Sequence, residues 1–240
     1  MGTLLAQQAV ADAELAGGTS RSGRGFAGAP VFAEISELAA VADVVIDFTH
    51  ASTVAAHAAA LAAAKTPWVL GTTGYGADDS AAILAAAKTI PVIAAANFGT
   101  GVNLLLIMAE RLGAALPAAL YDAEILEMHH RQKVDAPSGT ALALGRAVAA
   151  GRGVRLEEVM VSGRDGHTGA RKEGEIGFAV LRGGQIIGAH EVSFTAGDEQ
   201  LTLSHRAFDR RVFASGAVRA ALWLHAQPAG LYSMRDYLRL

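Results

Sequence analysis

Between positions 41 and 96 the chain alternates short branched apolar runs with alanine-rich stretches of helical length. Val44-Val45-Ile46-Asp47-Phe48 carries apolar residues on both faces, which predicts a strand buried between two layers, and 51–65 predicts the helix that follows it. The unit recurs, with strands at 67–70 and 91–96 and a helix at 77–88. Such alternation specifies a doubly wound parallel sheet, in which ligands gather at the carboxyl ends of the strands. Those ends fall at Asp47-Phe48-Thr49, Gly71-Thr72-Thr73-Gly74 and Asn97-Phe98-Gly99-Thr100-Gly101.

Past a predicted helix at 102–116 the rhythm changes to strands of alternating character, at 123–128, 175–181, 185–189 and 200–205. Gly183-Gly184 between two of them reads as a tight hairpin. A helix at 139–150 interrupts the strands, and a last helix near 215–224 returns to the first half. The expected architecture is therefore α/β, with a Rossmann-like first domain made of 1–99 and 210–240 and a second, α+β domain over 100–209.

Composition narrows the function. Lys and Arg total 20 against 23 for Asp and Glu, a formal charge of −3 without long runs of one sign, which gives nucleic acid or an acidic membrane nothing to bind. The absence of cysteine excludes disulfides, thiolate nucleophiles and most structural zinc sites. No basic leader is seen, and the most apolar tracts, mainly alanine, fall short of the ~20 residues of a membrane span. A cytoplasmic protein is expected, with a small-molecule ligand.

The densest polar cluster is Glu127-Met128-His129-His130-Arg131-Gln132-Lys133-Val134-Asp135-Ala136-Pro137-Ser138-Gly139-Thr140, set between a predicted strand and a predicted helix. Ser138 is a natural N-cap, leaving the N–H groups of Gly139 and Thr140 outward at a helix start. With Lys133 beside it, such a start receives carboxylate or phosphate. The histidines supply a group that gives up a proton near neutral pH. The plainer reading makes one histidine packed, the other solvated and Lys133 a surface charge. Metal binding is disfavoured, because neighbours on a strand point to opposite faces and no third ligand is evident.

This run resembles the signature E-x-H-H-x-x-K-x-D-x-P-S-G-T of the 4-hydroxy-tetrahydrodipicolinate reductases, long called dihydrodipicolinate reductases. Val45-Ile46-Asp47-Phe48-Thr49, Gly71-Thr72-Thr73-Gly74, Ala95-Ala96-Asn97-Phe98, Gly166-His167-Thr168-Gly169 and Ala214-Ser215-Gly216-Ala217-Val218-Arg219 are similar to further blocks of that family, in its order. The resemblance implies reduction of a cyclic dicarboxylate by NADPH or NADH, with loss of water, in lysine and diaminopimelate synthesis. It implies His129 as proton donor and Lys133 as a second catalytic and substrate-holding group, with His130, Ser138, Gly139 and Thr140 on the substrate carboxylates. It further implies cofactor contacts at Gly71, Thr72, Thr73, Ala95, Ala96, Asn97, Phe98 and Arg210, no metal, and a homotetramer joined through the second domain's sheet. Taken alone, Gly71 to Gly74 is also an ordinary turn, Asn97 an ordinary helix cap, and His167 a residue that orders its loop.

Two departures bear on the cofactor. The family's first strand and glycine-rich phosphate loop do not precede Met1, and Met1-Gly2-x-Leu4-Leu5 looks like the end of its G-x-x-G-R-M-G segment. The expectation is a sheet lacking its first strand, through a start assigned too far downstream rather than genuine shortening. A truly short form would have weak cofactor affinity, and a catalytically silent binding protein is then the alternative. At Gly18-Thr19-Ser20-Arg21 the family often has an acidic residue before the arginine. Ser20 would not repel a 2′-phosphate, and Arg21, with Arg24 nearby, could hold one, which leans the cofactor to NADPH.

Overall fold

The computed structural model describes residues 1–20, 23, 25 and 28–240. Arg21 and Arg24 therefore lie outside the described residues. The chain forms two compact units, Met1–Thr100 with Arg211–Leu240, and Gly101–Arg210.

The first unit begins with α1 (Gly2–Asp12), a short parallel pair β1 (Gly18–Thr19) and β2 (Val31–Phe32), and α2 (Ile35–Ala39). Then come β3 (Val45–Asp47), α3 (Val54–Ala64) after a 3-10 turn at Ala51–Thr53, β4 (Trp68–Leu70), α4 (Ala77–Ala86) and β5 (Pro91–Ala94). The predicted alternation of strands and helices is thus present. The C-terminal residues add α8 (Arg211–His225), β11 (Gly230–Tyr232) and α9 (Met234–Leu238). The main sheet is parallel, in the order β11-β5-β4-β3, and no strand is paired with the outer edge of β3 among the described residues.

Its strands are apolar on both faces because helices cover both. On one side Trp68, Leu70 and Val92 pack with Leu61 of α3 and Ile83 of α4. On the other, Val69 and Ile93 pack with Ala217, Ala221 and Leu224 of α8.

The second unit carries α5 (Thr100–Ala115, its first residue in the other unit), β6 (Asp122–His129), α6 (Gly139–Gly151), α7 (Leu156–Val159), β7 (Met160–Ser162), β8 (Ile176–Arg182), β9 (Gly188–Thr195) and β10 (Gln200–Ala207). The sheet order is β10-β9-β6-β8-β7, with β6 at the centre. Strict alternation along β6 buries Ala123, Ile125, Glu127 and His129 on one face. There Ile125, Phe178, Val192 and Phe194 meet Leu105 of α5 and Leu144 of α6.

The hairpin expected at Gly183-Gly184 does not form. β8 pairs with β6 in parallel and β9 pairs with the other edge of β6 antiparallel, so the two strands flanking the glycines are not neighbours. Gly183 N donates to His129 O at 2.9 Å and Arg131 N to Gly184 O at 3.3 Å, which lays the Gly-Gly segment across the end of β6. The expected strand at 185–189 accordingly starts later, at Gly188, once the crossing is complete. The antiparallel hairpin of this unit is β9 to β10, closed by Ala196 N to Glu199 O at 2.9 Å.

Candidate functional site

The inner face of β6 presents Glu127 and His129 two residues apart, hence side by side. Glu127 is 1% exposed, and both of its oxygens have hydrogen-bond partners. His129 Nδ1 lies 2.5 Å from Oε2, Ser138 N donates to Oε1 at 3.0 Å, and Arg182 donates to Oε2 and Oε1 at 2.9 and 3.0 Å. Burial alone would raise this carboxyl, but Arg182, His129 and the Ser138 N–H outweigh it and hold the group below the usual glutamate range. His129 is lowered as well, which here favours the neutral ring: burial lowers its basicity more than Glu127 raises it, and Lys133 and Arg182 add to the lowering.

Ser138 N-caps α6, its Oγ accepting from Ala141 N at 3.2 Å. The same hydroxyl lies 3.1 Å from His190 Nε2, and the His190 ring meets that of His129 edge-on at 5.1 Å. Burial, with the neighbouring His129 next, pushes His190 down to about 4, so it is a neutral ring at physiological pH. Gly139 and Thr140 form the first turn of α6, where N–H groups have no intrahelical acceptor, and Gly139 is exposed. Lys133 points its ammonium at Asp135, 2.8 Å from Oδ1 and 2.9 Å from Oδ2. His130 follows the strand end, half-buried, with Nδ1 lacking a hydrogen-bond partner.

In the first unit the loops after β3, β4 and β5 lie side by side, because Asp47, Leu70 and Ala94 are in register. Gly71 N donates to Asp47 O at 2.8 Å and Ala95 N to Leu70 O at 3.0 Å, so the ladder runs on into the loops. Thr72 is buried and donates to Asp47 Oδ1 at 3.2 Å, whereas Thr73 is exposed. Gly71 lies against the Phe48 ring so closely that a Cβ would overlap it, and Phe48 in turn meets Phe98 at 5.7 Å. Phe98 is wholly buried, so what it offers a ligand is backbone. Ala95 and Asn97 stand half-buried, the Asn97 Oδ1 accepting from Gly99 N at 2.8 Å, and Ala96 is exposed.

Asp47 ties these loops together. It is 2% exposed and accepts from Thr49 N and Oγ1 at 3.0 and 2.6 Å, with His57 Nδ1 2.7 Å from its second oxygen. Burial would raise it, yet His57 and Thr49 leave it below the ordinary aspartate value. A cavity of about 1080 Å³ opens beside this strand, walled by β1 and Ser20, by Val44 to Thr49 and by Val218 and Leu222 of α8. Its size admits a dinucleotide. It touches neither Gly71 nor the 95–98 loop, which lie at the adjoining strand ends.

The structure thus gathers His129, Ser138 and the start of α6 around Glu127, and Gly71, Thr72 and Phe98 around Asp47 and Phe48. Arg210 is exposed and is the last residue of the second unit. Sequence reasoning missed Asp47, Glu127, Arg182 and His190 as site residues. A signal existed for Glu127, since period 2 puts it on the His129 face; nothing in the sequence points to Arg182, which lies 55 positions away. Among the described residues no cluster of His, Cys, Asp or Glu could hold a metal ion, and no helix is long and apolar enough to cross a membrane.

Comparison with known proteins bears on the assignment. Residues 1–98 match the family model "Dihydrodipicolinate reductase, N-terminus" and 101–238 match "Dihydrodipicolinate reductase, C-terminus". The chain is 58% identical to the 4-hydroxy-tetrahydrodipicolinate reductase of Granulibacter bethesdensis, over 99% of this chain and 92% of that protein. It is 60% identical to that of Acidiphilium cryptum, over 100% of this chain and 94% of the relative. Among solved structures, the dipicolinate-bound dihydrodipicolinate reductase from Paenisporosarcina sp. TG-14 superposes with a TM-score of 0.75 at 26% identity, covering 98% of this chain and 95% of that one. The diaminopimelate dehydrogenase of C. glutamicum, at 16% identity and a TM-score of 0.53 over 97% and 90%, shares the fold alone. With both halves matched and such identity over nearly its whole length, the chain belongs to the 4-hydroxy-tetrahydrodipicolinate reductase (dihydrodipicolinate reductase) family.

Proposed function

We infer that this chain reduces 4-hydroxy-tetrahydrodipicolinate to tetrahydrodipicolinate with NADPH or NADH, releasing water, in lysine and diaminopimelate synthesis. The observation that carries the reading is the imidazole of His129 set beside a capped, open helix start and an ammonium group. In the balanced reaction, substrate, reduced nicotinamide and one proton give product, oxidised nicotinamide and water. The bound nicotinamide supplies a hydride to the unsaturated ring.

The protein's residues do the rest. His129, with Nδ1 committed to Glu127, gives a proton from Nε2 to the carbon left electron-rich beside the reduced position. Gly139 and Thr140 N–H groups, with the Ser138 cap, receive one ring carboxylate, and His130 and Lys133 the other. Lys133 exchanges Asp135 for the substrate as it does so. On the first unit, residues 71–73 and 95–98 hold the nicotinamide and its ribose, and the cavity beside β3 takes the remainder of the dinucleotide.

Finer assignments follow from the same reading. NADPH is favoured over NADH because Ser20, on the cavity wall, carries no charge to repel a 2′-phosphate, and Arg21, with Arg24 near it in the sequence, supplies positive charge. The two units act as the dinucleotide-binding domain and the substrate-binding and oligomerisation domain. The outer sheet face of the second, bearing Leu126, Met128 and Leu181, would be covered in a homotetramer. The location is cytoplasmic.

The test follows absorbance at 340 nm with freshly prepared substrate and each cofactor in turn, beside light scattering for the mass. Oxidation of NADPH that disappears in His129→Ala is expected. A folded wild-type protein that oxidises neither cofactor would overturn the assignment.

A further inference from the structure

A carboxylate buried in the middle of a sheet is expensive unless every oxygen is matched, and Glu127 is matched by groups that belong to three parts of the site. Its Oε2 faces His129 Nδ1. Its Oε1 takes the N–H of Ser138, the residue that starts α6. Both oxygens take the guanidinium of Arg182, which also donates to Asp135 O at 2.7 Å and so closes the loop that carries Lys133.

We propose that Glu127, anchored by Arg182, is the positioning residue of the reduction: it keeps the His129 proton on Nδ1 in the neutral ring, so that Nε2 alone carries the transferred proton. The assignment rests on His129 being the proton donor.

The geometry leaves Nε2 free for that task. Gly188 lies across from it on β9, and a Cβ there would stand only 3.1 Å from Nε2, so the residue without a side chain keeps the approach open. When Nε2 gives its proton, the ring returns to the tautomer that Glu127 already accepts from, and nothing at the site has to turn. Glu127→Gln keeps shape and volume but offers either a neutral oxygen or an NH2 group to Nδ1. The NH2 orientation forces the neutral ring to carry its proton on Nε2, from which no further proton can leave at ordinary pH. The groups that face His129 are Glu127 on its own strand, His190 on β9, Arg182 at the end of β8 and Lys133 in the loop. Of these only Glu127 favours the imidazolium.

The experiment compares wild type, Glu127→Gln and Glu127→Asp in full-length protein, with NADPH and substrate. Glu127→Gln should lower kcat by about tenfold or more while KM for NADPH stays within about twofold. The limb on which kcat falls with rising pH should move to lower pH by about one unit, because the protonated ring loses its counter-charge. Glu127→Asp, which keeps the charge, should restore part of that limb. A purely structural carboxylate would alter melting without moving the limb.

A second measurement needs no variant of Glu127. Nitrogen-15 spectra of the histidine-labelled wild type, with the His129 signals identified through His129→Asn, should show the neutral ring protonated at Nδ1. A neutral His129 protonated at Nε2 overturns the proposal, as does a folded Glu127→Gln enzyme with unchanged kcat and limb. If Glu127→Gln does not fold, the tautomer and the Glu127→Asp profile decide. Wild type that turns over nothing counts against the reductase reading instead, and the tautomer still reports on Glu127.

Discussion

Each unit buries one carboxylate against a histidine, and the two are compensated differently. Asp47 in the parallel sheet accepts from neutral hydroxyls and a backbone N–H besides His57. Glu127 in the mixed sheet is matched by a guanidinium with two parallel bonds. The first arrangement binds neighbouring loops of one strand edge together. The second anchors a proton-carrying side chain, a helix start and a loop to a single charged centre, and it is the costlier to disturb.

Truncation would expose that contrast most strongly. Glu127→Ala leaves Arg182, 22% exposed, without its counter-charge and should cost about 3–5 kcal/mol in urea unfolding. Asp47→Ala strands only neutral donors and should cost about 1–3 kcal/mol. Equal losses would show that the guanidinium has no special weight.

Acid should loosen the second unit first. Both carboxylates are lowered, so their contributions hold above the ordinary carboxylate range and vanish only as pH falls through still lower folded values. His190 is also lowered, from an ordinary 6.5 to about 4, and the unfolded chain therefore binds its proton first. Stability is full above 6.5 and declines as pH falls toward about 4, by on the order of 3 kcal/mol. Hydrogen exchange between pH 7 and 4.5 should show protection falling in β6, β9 and β10 before β4 and β5. Simultaneous loss would contradict this.

Steric changes give smaller effects. Gly71→Ala must displace the Phe48 ring from Phe98, with about 1–3 kcal/mol lost in thermal melting and a raised KM for cofactor. An unchanged KM would detach Gly71 from the cofactor site. Gly188→Ala, whose new methyl faces His129 Nε2, should cost less than about 1 kcal/mol in stability and show itself in kcat. Loss of cofactor binding instead would misplace it.

Much of the fold was legible along the chain. The branched runs at Val45, Trp68 and Val92 became the parallel strands because a strand covered on both faces must be apolar throughout. Ser138 announced the start of α6 by its capping chemistry. The region around Gly183 was not legible, since a glycine pair marks a bend without saying which strand edge the next segment will meet. Asp47 passed as the polar end of an apolar run, although its four donors make it the tie between two loops.

Periodicity, caps and the polar run from Glu127 to Thr140 determined by themselves the layered first half, the strand-rich second half, the family and the chemistry on offer. Only the tertiary structure decided that β6 lies between β8 and β9, and that Arg182 and His190 close around Glu127 and His129. The reason is range. Propensity, alternation and capping act over a few residues, whereas partners dozens of positions apart are chosen by which strand edges pair and by the need of a buried charge for its complement.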